Sequence, residues 1–71
     1  MEYDYSKLKG KITEVFGTRK QFASAMHMGE ATLSLKLSNK SEWSQDDMEL
    51  AMDLLGIPRA SVGIYFFTHS V

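Results

Sequence analysis

The stretch Thr18-Arg19-Lys20-Gln21-Phe22-Ala23-Ser24-Ala25-Met26-His27-Met28-Gly29-Glu30-Ala31-Thr32-Leu33-Ser34-Leu35-Lys36-Leu37-Ser38 decides the fold. Thr18 and Gln21 have capping-box spacing, in which a hydroxyl accepts from an orphan amide and the Gln side chain reaches back. This predicts a helix over about 19–26, with Phe22, Ala23 and Met26 facing inward. His27-Met28-Gly29 interrupts it. A second helix is expected over about 30–38, capped at Gly29, with Leu33 and Leu37 on one face. Two short helices across a brief break, with a small residue such as Ala23 where they must approach, are the layout of a helix-turn-helix.

The same reading extends outward. Tyr5, Leu8, Ile12, Val15 and Phe16 recur at three- and four-residue intervals, which predicts a helix over about 5–16. Asp4 or Ser6 is its candidate cap, and Gly17 its stop. On the other side, Asn39-Lys40-Ser41-Glu42 reads as a polar loop, and Trp43 is expected to pack back on the core. Ser44 and Asp47 again have capping spacing and open a helix over about 45–55, with Met48, Ala51, Met52 and Leu55 as its stripe. Asp46 and Asp47 then lie where the helix dipole favours negative charge. Gly56-Ile57-Pro58 ends this helix, a short fifth is expected over about 59–65, and Tyr65-Phe66-Phe67 reads as core closure. Residues 68–71 are expected to form a loose tail. The expectation is an all-α bundle of four to five short helices in a single domain, residues 1–71, with the motif at about 18–38.

Composition narrows the function. Seventy-one residues suffice for one domain. There is no cysteine, so neither a disulfide framework nor a thiolate metal site is available. No apolar run reaches the roughly 18 residues of a membrane span, and the acidic, aromatic start is unlike a targeting peptide. A cytoplasmic protein with no membrane partner and no small-molecule substrate is expected. His27 and His69 stand apart without further ligands, and no phosphate loop or nucleophile–base pair is present. Neither an enzyme nor a cofactor protein is expected. The net charge is −1, divided unevenly: residues 1–40 carry +3 and residues 41–71 carry −4.

The run Phe22-Ala23-Ser24-Ala25-Met26, the turn, Glu30 to Lys40, then Trp43-Ser44-Gln45 and Leu54-Leu55-Gly56-Ile57-Pro58 resemble the lambda-repressor-like domains of temperate phages. Within them the chain looks most like the short Cro-type or modulator-of-repression (antirepressor) proteins of phages of Gram-positive bacteria. The resemblance implies a regulator of the lysis–lysogeny switch. It also implies that the contact surface is the start and outer face of the second motif helix. Here that surface is Gly29, Glu30, Ala31, Ser34, Leu35 and Ser38, and Met28 joins Leu35 as an apolar anchor if the partner is a protein. None of these is Arg, Lys, Gln or Asn, the usual bidentate readers of guanine and adenine. Glu30 repels phosphates, and an outward Leu35 suits a protein groove.

Two functions therefore stand side by side. In the preferred one, the helix binds a phage repressor near its DNA-reading surface and blocks or alters operator binding. In the alternative, the protein is a Cro-like factor that places the same helix on operator DNA, alone or in a ternary complex with the repressor. Arg19, Lys20, Lys36 and Lys40 are then the candidate phosphate contacts, against the plainer reading of solvated surface charge.

Overall fold

The computed structural model describes residues 2–69. It contains α1 (Ser6–Phe16), α2 (Arg19–Ala25), α3 (Glu30–Leu37), α4 (Gln45–Leu55), a 3₁₀ turn (Arg59–Ser61) and α5 (Val62–Phe66). The expected all-α bundle is what forms. Local chemistry sets the starts. The Thr18 hydroxyl accepts from the Gln21 amide at 3.2 Å, and the Ser44 hydroxyl accepts from the Asp47 amide at 3.0 Å. At α1 the cap residue is Tyr5, while the Asp4 carboxylate takes the Ser6 amide and hydroxyl at 2.9 and 2.6 Å. Those bonds hold the Asp4 carboxyl below its ordinary pKa.

Stops follow the same logic. Gly17 and Gly56 take positive φ after α1 and α4. Both motif helices end instead on non-glycine residues in the left-handed region, His27 (φ 60) and Asn39 (φ 66). After α2, Met28 N–H donates to Ala23 O and His27 N–H to Ser24 O. After α3, Lys40 N–H donates to Leu35 O and Asn39 N–H to Lys36 O. Each pair is a Schellman closure that satisfies the last carbonyls.

The core joins all five helices: Leu8 and Ile12 from α1, Phe22 and Ala23 from α2, Leu33 and Leu37 from α3, Ala51, Met52 and Leu55 from α4, and Phe66 from α5. Three expectations shift. Val15 is exposed, since at the last turn of α1 it is Phe16 that meets Phe22, with ring centroids 5.3 Å apart. The helix expected over 59–65 is a 3₁₀ turn, Arg59–Ser61, running into a five-residue helix, Val62–Phe66. The Tyr65-Phe66-Phe67 group is split: Phe66 is buried, Tyr65 half-buried and Phe67 exposed.

The chain ends are also tied together. Among the described residues an isolated antiparallel bridge joins Tyr3 to His69, and Asp4 N–H donates to Thr68 O at 2.6 Å. Thr68 and His69, expected in a loose tail, are therefore held, and the tail's remaining residues 70–71 lie outside the described ones. The Asn39 side chain accepts from Tyr3 N–H and donates to Tyr3 O, both at 2.9 Å. This amide links the N-terminal segment to the end of α3.

Candidate interaction face of the motif

The site is built on α3, which Gly29 opens with an extended backbone (φ −73, ψ 155) and no side-chain cap. Leu33 and Leu37 pin the helix to the core. Glu30, Ala31, Leu35 and Ser38 are exposed and Ser34 is half-buried, so one outward stripe unites them. Leu35 keeps 47% of its surface open. Gly29 is exposed at the helix start, whereas Met28 is half-buried and packs against the core edge. Ser38 turns its hydroxyl back to Leu35 O at 3.2 Å.

The candidate phosphate contacts separate. Arg19 and Lys20 are exposed in the first turn of α2, and Lys40 is exposed just past α3. Lys36 is not available as a phosphate contact and is a correction to the expectation. Its side chain is only 11% exposed. Its Nζ lies 3.0 Å from the Asp47 carboxylate, donates to Glu42 O at 2.8 Å, and sits 5.8 Å from the centroid of the Trp43 ring. The methylene stem lies along the core while the charge finds its partners inside the α3–α4 corner. Burial pushes the Asp47 pKa up, but hydrogen bonds from Lys36 and Ser44 and the Lys36 charge outweigh it and hold the carboxyl below its ordinary value.

The physical consequence is direct. Lys36 is the one cation in α3, and it turns inward. The outward stripe is left with Glu30, small side chains and an open leucine. Sequence periodicity could not place Lys36, which stands at the border of the Leu33–Leu37 stripe. Asn39 was also missed as a structural linker. Its signal was its position after a helix, where Asn is one of the few residues that accept the left-handed conformation.

The fold defines a small all-helical protein built around a helix-turn-helix. Over residues 1–69 the chain matches, and belongs to, the family described as "Protein of unknown function (DUF739)". It is also similar to the solution structure of the modulator of repression (MOR) of the temperate bacteriophage TP901-1 from Lactococcus lactis. That likeness has 46% identity and a TM-score of 0.83, and covers 94% of this chain and 90% of the other. A comparison with curated proteins finds no match. The expected kinship with phage regulators of the modulator type is borne out, and the solved relative is a regulatory protein. Among the described residues no helix is long and apolar enough to cross a membrane.

Proposed function

We propose that this protein acts as a modulator of a temperate-phage genetic switch, binding the phage repressor through the outward face of α3 and blocking or altering its hold on the operator. The observation that carries this reading is the inward turn of Lys36 onto Asp47, which strips the motif helix of its one cation. A helix presenting Glu30 and Leu35 complements a basic, DNA-reading protein surface: the carboxylate meets a cation and the leucine supplies an apolar anchor. The name of the solved relative, a modulator of repression, supports the same role.

Titration of labelled switch-region DNA with the co-encoded repressor, with and without this protein, tests it. The protein should shift the repressor–operator isotherm while showing no sequence-specific binding of its own. Leu35→Asp should weaken the effect by at least about tenfold, the loss expected of a central anchor, and leave the helical circular dichroism unchanged. An isotherm that the parent protein leaves unmoved refutes the proposal.

A second reading rests on Arg19, Lys20 and Lys40, which flank the motif and are exposed. As a Cro-like factor the protein would bind the same DNA alone, losing about 0.9 log units of affinity per decade of salt for each phosphate neutralised. Tight, sequence-dependent and salt-sensitive binding by the protein alone would favour it.

A further inference from the structure

Away from the α3 stripe, the tied N-terminal segment, the α3–α4 loop and the end of α5 enclose an open cavity of about 480 Å³. Aromatic rings run through its wall in a continuous series. Phe67 meets Tyr3 edge-on at 5.9 Å, Tyr3 lies 6.2 Å from Tyr5, and Tyr5 lies 6.4 Å from Trp43. Glu2 and Glu42, both exposed, supply carboxylates to the lining; none of the described lining residues is Lys, Arg or His, and the His69 ring stacks on Tyr3 at 5.0 Å. The nearest buried cation, Lys36, is neutralised by Asp47 and lies over the Trp43 ring, 5.8 Å from its centroid, leaving the other rings of the wall without a cation.

We infer that this cavity is a docking site for an arginine side chain projecting from a basic partner protein. Ring faces carry negative potential and attract a cation laid over them. A planar guanidinium both stacks on such rings and forks onto a carboxylate, which the compact, strongly hydrated ammonium of lysine does less well. Charge points to the same occupant: the two ionisable acids of the lining, Glu2 and Glu42, are exposed carboxylates with no basic residue beside them in the described wall. The cavity is held open by bonds that do not involve an occupant. These are the paired Asn39–Tyr3 hydrogen bonds, the Tyr3–His69 bridge and the packing of Trp43 on Phe66 at 5.1 Å. The inference is independent of whether α3 binds a repressor.

Trp43 is the single tryptophan of the chain and lies in the cavity wall, so it reports on occupancy. The probe is the acetylated, amidated tripeptide Gly-Arg-Gly, titrated against the full chain with the matched citrulline peptide, neutral but of the same shape, as control. The arginine peptide should change Trp43 emission saturably with a dissociation constant on the order of 1 mM, fitting one small ligand group. The citrulline peptide should bind at least about fivefold more weakly, and Glu42→Gln should weaken the arginine peptide about threefold, as for loss of one exposed charge contact. Backbone NMR shifts should cluster at residues 2–5, 39–43 and 66–67. Absence of a saturable change, equal binding of citrulline, shifts centred on residues 30–35, or an affinity unmoved by both Glu2→Gln and Glu42→Gln would each overturn the inference. No repressor is present in this experiment, so its failure leaves the α3 reading untouched.

Discussion

Replacing Lys36 by Met tests whether the charge of α3 is truly spent inside the fold. Met keeps the apolar stem but removes the donor to Glu42 O and the partner of Asp47. A hydrogen bond involving a charged group contributes about 1.5–3 kcal/mol, and breaking a buried ion pair costs about 3–5 kcal/mol. Both figures need reduction here. Asp47 keeps 29% of its side chain in solvent, and water screens and re-solvates it once it is abandoned. A net loss of about 2 kcal/mol at neutral pH is the working value, which lowers the melting temperature of so small a domain by roughly 8–16 °C. Urea unfolding followed by circular dichroism should show the loss in the midpoint with the slope unchanged.

The pH dependence sharpens the test. The folded carboxyl of Asp47 titrates below its ordinary value, so the stability it contributes is present above the ordinary carboxylate range near pH 4 and is lost as pH falls through the lowered folded value. Without Lys36 that lowering shrinks. The gap between parent and Lys36→Met should therefore narrow from about pH 4 downward, leaving the smaller share due to the Glu42 carbonyl. A variant within about 0.5 kcal/mol of the parent at neutral pH, the usual range for a surface substitution, would refute the reasoning and return Lys36 to the pool of free surface cations.

Two further perturbations probe the frame around the face. Asn39→Gly keeps the left-handed backbone but loses both bonds to Tyr3, and should cost about 1–2 kcal/mol; Asn39→Ala should cost roughly a further 1 kcal/mol from strain at φ 66. Both should speed hydrogen exchange at the Tyr3 amide, and equal stability of Asn39→Gly and parent would contradict the linker role. Ser44→Ala should cost about 1 kcal/mol and Ser44→Gly only a few tenths, read from urea midpoints, because the cap is one hydrogen bond to the Asp47 amide.

Much of this architecture was legible along the chain because its signals are local. Capping at Thr18 and Ser44, the glycine stops at Gly17 and Gly56, and the spacing of Leu33 and Leu37 act within one or two helical turns. The outward set Glu30, Ala31, Leu35 and Ser38 follows from the same period once the buried stripe is known. The positions of the first four helices, the motif and its outward face are thus largely consequences of neighbouring residues.

What the sequence could not decide depends on residues far apart. The Asn39–Tyr3 pairing spans 36 positions and leaves no periodic trace. Phe66 is buried while Phe67 beside it is exposed, because α5 is a single short turn whose orientation comes from the helices it meets. Lys36 is the sharpest case. Its stem suits either the core edge or the surface, and a flexible four-carbon chain follows whichever partner is near. Only the arrival of α4, with Asp47 in its first turn and Trp43 ahead of it, draws the ammonium inward and leaves the motif helix without a cation on its outer face.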